Sequence, residues 1–344
     1  MHIIVDIRSE IVHSIITDYA SNWVDLWRLR YPDHRVSYIH FRNQECPSNG
    51  ESVIVSQTNW WRKSKRITTN RNPEIFRCIN FSKYPPYDSK IETITHIFDH
   101  LDALYPKVEI SGLERIFKIQ SKNKIGASYK IIVPSLQIGQ EAVSLDHIRE
   151  EKIEIIPYLK FSTEVNHTNI LSQFSITEKY FLYDGTYGTE SGILYILNGF
   201  KQYRDRGWKY ILILIGKPTD IEFKNITDQI QKLELTGFVR IVGTLDIENT
   251  RSLYKNANGW IYIGAYYAWG PRIELAENYN IPLLISQIPV FQDYFDFSIV
   301  IHPNHLSNLW EKMQELENHI PKSSRKIWNE KLMQAYEKII AERS

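Results

Sequence analysis

The sequence has little cysteine, almost no net charge and no long apolar run, and each shortage excludes something. Two cysteines, Cys46 and Cys78, are too few for a disulfide framework. With no secretory leader either, a reduced cytoplasmic setting is expected. Lys and Arg number 41 against 40 Asp and Glu, a formal net charge of +1. The chain therefore has no overall polyelectrolyte signature, and a nucleic-acid partner would need a local basic patch. The best candidate for a membrane span, "YILILIG" (210–216), falls far short of the roughly 20 apolar residues required. It reads as a buried strand, so any membrane contact is expected to be peripheral. No Cys/His cluster has metal-ligand spacing, and no metal is expected. Short-period repeats and low-complexity tracts are missing as well.

What is present is length, aromatic residues and a regular alternation of elements. At 344 residues, 43% hydrophobic and 24% charged, the chain is long enough for two domains with separate cores and too apolar for extended disorder. Its 9 Trp and 21 Tyr suit either a core or the lining of a sugar-binding cleft. The opening "MHIIVDIRSE" reads as a strand. Ile15, Ile16, Tyr19, Trp23, Leu26 and Trp27 then recur at helical spacing until Pro32 ends the helix. "HRVSYIHF", "ESVIVSQ", "IETITHIF" (91–98), "YKIIVPS" (129–135) and "EKIEIIPYLKF" (151–161) are further strand signals. A polar stretch over 161–180 with little periodicity predicts a linker. A second cycle follows, with strands at "YFLYDG", "KYILILIGK", "VRIVGT", "GWIYIG" and "IPLLIS" and helices over 190–206, 222–235, 246–257, 271–279 and 305–317. Strands alternating with helices of this length imply parallel sheets covered on both faces. The expected architecture is α/β, with two doubly wound Rossmann-like domains facing across a cleft. One spans 1–160 and is joined by a returning helix over 325–344; the other spans 181–324. In such sheets ligands bind beyond the carboxyl ends of the strands.

Several segments, in order, carry a resemblance. "FLYDGTYGTESGILYILNGF" (181–200) is a strand, a glycine turn and the start of a helix. "ILILIGK" (211–217) is a core strand, and "VRIVGTLDIENTRSLYKNANGWIYIGAY" (239–266) runs strand, helix, strand. "WGPRIELAENYNIPLLIS" (269–286) is a glycine-started helix leading into a strand, and "IWNEKLMQAYEKII" (327–340) is a Trp-containing terminal helix. Together they resemble the nucleotide-sugar domain of GT-B glycosyltransferases, specifically glycosyltransferase family 4. In the first half, "ITHIFDHLDALYP" (94–106) and "YKIIVPSLQIGQEAVSLDHIREEKIEIIPY" (129–158) resemble, less closely, acceptor-domain segments. The resemblance implies a terminal helix that crosses back to the first domain. It also implies metal-independent, retaining transfer of a hexose from a nucleotide sugar to a glycan or lipid-linked acceptor.

The charges that family uses for the diphosphate are missing here. An ungapped overlay puts Glu190 and Ser191 where an Arg-Lys pair is usual, Tyr267 and Leu275 at two Glu positions, and "IITDY" (15–19) at a glycine loop. A carboxylate beside a diphosphate is repulsive by about 1 kcal/mol even in a fairly solvated site. A bidentate Arg is not replaced by Ser. Arg272, at the start of a helix whose N–H groups favour an anion, and Lys217, at a strand end, are the substitute cations. Shifting the overlay by one brings Glu274 to the ribose-binding position. Gly185, Gly243 and Gly270 would permit close backbone approach to the donor, and Tyr267 would stack on a base or sugar, although an aromatic beside a strand end is more often core.

On the acceptor side, His96 and Asp99 of "HIFDH" are the candidates for orienting or deprotonating a hydroxyl, with Phe98 standing where the family usually has His. The stretch 59–83, with seven Lys or Arg, one acid, and Trp60 and Trp61 at its front, reads as a solvated loop or as a peripheral contact with an anionic membrane. Such a contact would place the chain at the inner face of the membrane; nucleic acid is the less favoured partner. Two functions follow: a glycosyltransferase with relocated cations, or a catalytically inactive GT-B homologue acting as a binding or partner subunit.

Overall fold

The computed structural model describes residues 2–8, 15–55, 76–80, 92–104, 125–156, 170–267, 271–302, 305–320, 334–335 and 337–338. The chain divides into two units: residues 1–159 with 326–344, and residues 160–325.

In unit 1 the apolar runs become a parallel sheet. Its strands are β1 (His2–Asp6), β2 (Arg35–Phe41), β3 (Glu51–Val55), β4 (Phe76–Asn80), β5 (Glu92–His96), β6 (Lys130–Val133) and β7 (Ile153–Ile155), in the order β3-β2-β1-β4-β5-β6-β7. Helix α1 (Ile15–Arg30) buries Tyr19, Ala20, Trp23, Val24 and Trp27, the face that the 3.6-residue period selects. The Trp23 and Trp27 rings stack 5.3 Å apart. The last turn of α1 also meets the end of the chain: Glu337 pairs with Arg30 and accepts a bond from the Tyr31 hydroxyl. Helix α2 (Leu101–Leu104) follows β5. Helix α3 (Leu136–Asp146) is capped by the Ser135 hydroxyl, which accepts from the Ile138 N–H, and stops where His147 turns to φ 56°.

Strand β4 departs from the sequence expectation. The stretch 59–83 reads as a basic loop, yet its residues 76–80 form the strand that pairs with β1 and β5 at the middle of the sheet. The remainder of that stretch lies outside the described residues.

Unit 2 holds β8 (Tyr180–Asp184), β9 (Ile211–Ile215), β10 (Val239–Gly243), β11 (Gly259–Tyr262), β12 (Leu283–Ser286) and β13 (Ile299–Ile301). All pairs are parallel, in the order β10-β9-β8-β11-β12-β13. Every residue of β8 and β9 is buried, as expected for strands covered on both faces. The crossover helices are α5 (Ile193–Asp205), α6 (Asp220–Lys232), α7 (Ile247–Asn256) and α8 (Pro271–Asn278), with α9 (Leu309–Asn318) near the end of the unit. Thr219 and Glu222 form a reciprocal capping box on α6, and Asp246 caps α7.

Part of the expected linker belongs to unit 2. A short helix α4 (Ile170–Gln173) precedes β8, and the Phe174 and Ser175 carbonyls accept from the Arg240 guanidinium. Strand β13 and the 3-10 segment Pro289–Phe297 were not expected from the sequence.

Candidate functional site

The strand order of unit 2 reverses between β8 and β11. In open parallel sheets, the crevice beyond the carboxyl ends of two such strands is the natural ligand position. The turn after β8 is built to sit against β11. Gly185 packs under the Tyr183 and Tyr262 rings, and a Cβ there would lie 2.7 Å from the Tyr183 hydroxyl. Ser191 folds inward: its hydroxyl donates to the Gly188 carbonyl at 2.6 Å, and the residue has no exposed surface. The Glu190 carbonyl accepts from the Ala265 N–H at 2.8 Å, which fastens the turn to the extension of β11.

Gly192, at φ 71°, closes the turn and starts α5. A Cβ on it would stand 2.8 Å from the Ile263 carbonyl oxygen. Backbone oxygen and a left-handed φ both oppose a side chain here. Gly192→Ala is therefore expected to destabilise unit 2 by about 2 kcal/mol. Urea unfolding would measure this; an unchanged midpoint would mean that the turn relaxes away from β11.

Charge and hydroxyl groups gather on this scaffold. Asp184 ends β8 and is 4% exposed. It accepts from Arg272 Nε at 2.7 Å through one oxygen and from the Tyr254 hydroxyl at 3.0 Å through the other. Arg272 reaches it from the first turn of α8 with 29% of its side chain exposed. Burial alone would lower the Arg272 pKa, but Asp184 and the neighbouring tyrosines outweigh burial and raise it, so the guanidinium stays charged. The turn after Asp184 holds two buried hydroxyl oxygens without a hydrogen-bond partner, those of Thr186 and Tyr187, and the buried Tyr267 hydroxyl faces the Ile273 N–H in the first turn of α8. Glu190 is buried too, at 7% exposure. Lys217 is exposed just beyond β9. Gly216 beside it has φ 133°, and its N–H donates to the Gly243 carbonyl at 3.0 Å. Among the described residues, no three His, Cys, Asp or Glu side chains gather where they could hold a metal ion.

Unit 1 has its own reversal, between β1 and β4, and it too is polar. Asp6 and Arg8 form a buried pair in which Arg8 Nη2 stands 2.6 Å from Asp6 Oδ2. Asn80, the register partner of Asp6, is fully buried. His96 ends β5, 6% exposed, with the Tyr19 ring edge-on and the Phe98 ring stacked on it. Burial pushes its pKa down to about 3, so at neutral pH the imidazole is uncharged and has no proton to spare for an acid role. Asp99 is half-buried. His100 differs sharply from His96: it donates to Glu141 at 3.2 Å and to Asp146 at 2.9 Å. Burial alone would lower its pKa, yet those two carboxylates raise it to about 9.

No protein-family model matches the chain, and no curated protein matches it by sequence. Solved structures match it along nearly its whole length. HepE of Anabaena, in complex with UDP and glucose, superposes with a TM-score of 0.72 at 12% identity, covering 99% of each chain. Sucrose-phosphate synthase of Thermosynechococcus elongatus gives 0.68 at 13% identity over 99% of each chain. WaaG, a glycosyltransferase of lipopolysaccharide biosynthesis, gives 0.68 at 12% identity over 99% of this chain and 100% of its own.

The chain has the GT-B fold.

On that fold, the donor residues expected from the sequence fall into two groups. Gly185, Lys217, Gly243 and Arg272 all lie at the carboxyl edge of the unit-2 sheet, or at the start of the helix that faces it. Tyr267 is packed among Trp260, Tyr262 and Phe291 as a core aromatic, with its hydroxyl toward the Ile273 N–H. Leu275 is core as well, and Glu274 is buried two residues beyond Arg272. Gly270 lies outside the described residues. His96 and Asp99 belong to the GT-B chain's first unit. Asp184, Tyr187 and Tyr254 were missed. The available signal was an acid closing the apolar run "YFLYD", because a buried carboxylate requires a partner.

Proposed function

We propose that this chain is a glycosyltransferase that takes a hexose from a nucleotide sugar and transfers it to a glycan or lipid-linked acceptor, without a metal and with retention. The observation that carries the reading is the polar gathering at the β8–β11 reversal. A charged guanidinium and the Tyr187, Tyr267 and Thr186 hydroxyls gather there, and those of Tyr187 and Thr186 have no protein partner. Buried hydroxyls of this kind are normally satisfied, and a ligand supplies what the protein does not. The fold adds support, since HepE is described in complexes with UDP-glucose and with UDP and glucose.

In this reading Arg272, the N–H groups of the first turn of α8 and the Tyr187 hydroxyl stabilise the leaving phosphate. Lys217 adds a solvated cation at the rim. Gly243, with open space where a side chain would stand, leaves the backbone open to the donor, and Gly185 lets the turn beneath it pack against Tyr183 and Tyr262; the Tyr267 hydroxyl meets the donor from below, and Glu274 holds the ribose. In unit 1, Asp99 and the neutral ring of His96 orient the acceptor hydroxyl. The basic stretch 59–83, apart from the central strand β4 within it, holds the protein at the inner face of a membrane, peripherally; no helix among the described residues is long and apolar enough to cross one.

A second reading, a catalytically inactive homologue serving as a partner subunit, is favoured by one specific observation. Arg272 already has a carboxylate partner, and a second carboxylate, Glu190, lies buried in the same turn. Calorimetric titration with UDP, GDP, TDP and ADP separates the two. Micromolar binding of one nucleotide is expected of the transferase. Binding of none of the four would refute it in favour of the partner subunit.

A further inference from the structure

Asp184 stands where a ligand anion would be expected. Its two oxygens take the Arg272 Nε–H at 2.7 Å and the Tyr254 hydroxyl at 3.0 Å, the kind of donors that would otherwise turn toward a phosphate. A purely structural ion pair in a buried position would draw the surrounding hydroxyls into its own bonding, because leaving them unmade is costly. Here that has happened only in part. The Tyr254 hydroxyl is drawn in, but the Tyr187 hydroxyl, on a residue 5% exposed, has no partner, although it lies within the electrostatic reach of Asp184 and Arg272. The pair is internally neutral while the Tyr187 hydroxyl beside it is unsatisfied. Glu190 in the same turn adds a further carboxylate and no cation.

The geometry points to Asp184 as the specificity-determining residue of this site: its carboxylate holds Arg272 in place of a ligand phosphate, so a multiply charged phosphate binds only by displacing or outbidding it. This rests on the placing of the donor site in unit 2. Repulsion between Asp184 and an incoming anion acts in a mostly buried setting, where screening is weak. A ligand that presents hydroxyls or a single charge to the tyrosines meets much less opposition than a pyrophosphate does.

The test compares wild type, Asp184→Asn and Tyr254→Phe by calorimetric titration with inorganic pyrophosphate, which carries no base or sugar. The Asn variant keeps an acceptor for Arg272 Nε, removes the charge, and turns an amide N–H toward the Tyr254 oxygen, which can accept it. It is expected to bind pyrophosphate at least tenfold more tightly than wild type. Tyr254→Phe, which removes a bond to Asp184 and leaves its charge, is expected to gain much less. Equal or weaker binding by a folded Asn variant overturns the inference, as does an equal gain in both variants, which would mean loosening and not charge. If the Asn variant melts below the working temperature, Asp184→Ser, which admits water beside Arg272, carries the same expectation. Failure of the transferase reading looks different: wild type binds none of the four nucleotides, while the Asn variant still gains pyrophosphate.

Discussion

Arg272→Ala is expected to destabilise unit 2 by about 3 kcal/mol, because it leaves the Asp184 carboxylate buried and without its counter-charge. Asp184 is 4% exposed and would retain only the Tyr254 hydroxyl. The cost is that of an uncompensated buried charge, and it exceeds what the ion pair contributes over an apolar pair of similar shape. The double variant Arg272→Ala/Asp184→Ala should therefore be more stable than Arg272→Ala alone, although it lacks more contacts. Urea unfolding read by hydrogen exchange at the β8 and β9 amides measures both. A loss under about 1 kcal/mol for the single variant would place the guanidinium among ordinary surface charges. The result also governs how loss of nucleotide binding in an Arg272 variant is interpreted. Arg272→Lys keeps the charge on the Asp184 carboxylate while giving up the planar fork, so it separates phosphate recognition from folding.

The sequence conveys the sheets better than the site. β8 is four apolar residues closed by Asp184 and β9 is five, all buried and each strand followed by glycine, a length and pattern that suit a strand covered on both faces. The pair of trytophan-bearing turns in α1 was equally legible, since Tyr19, Trp23 and Trp27 fall on one helical face. β4 was not legible. "FRCIN" has five residues with Arg and Asn among them, set in a tract whose cations dominate any windowed reading, and only pairing with β1 and β5 makes it a strand. The 3-10 segment before β13 has no period to detect.

At the site, the strand–glycine–helix turn and Arg272 could be found because each is a local signal. The meaning of Arg272 could not, since its partner lies 88 residues away at the end of another strand. Sequence spacing placed Tyr267 at a donor position, and packing against Trp260, Tyr262 and Phe291 shows it to be largely core. In "HIFDH" the two histidines are chemically alike on paper. Burial makes His96 neutral, whereas two carboxylates contributed by α3 make His100 a cation. Neither outcome is encoded within four residues of either ring.

Those two histidines predict a stability profile for unit 1 with a maximum near pH 6.5. His100 rises from 6.5 to about 9 on folding. Its contribution is fully present below pH 6.5 and is lost as pH climbs through about 9, in total about 3 kcal/mol at 1.36 kcal/mol per unit. His96 falls from 6.5 to about 3. Between those values the unfolded chain binds a proton that the folded one does not, so stability declines as pH drops below 6.5, by about 1.4 kcal/mol for each unit. The two effects act on opposite sides of pH 6.5, and stability falls away in both directions, which is what produces a peak. Urea unfolding of the intact chain across pH 5 to 9, followed by exchange at the β5 and β6 amides, measures the profile. His100→Gln should flatten the alkaline arm and leave the acid one, and His96→Gln should do the reverse. An alkaline arm that survives His100→Gln would mean that the bonds to Glu141 and Asp146 do not hold the proton, and that another group titrates between pH 6.5 and 9.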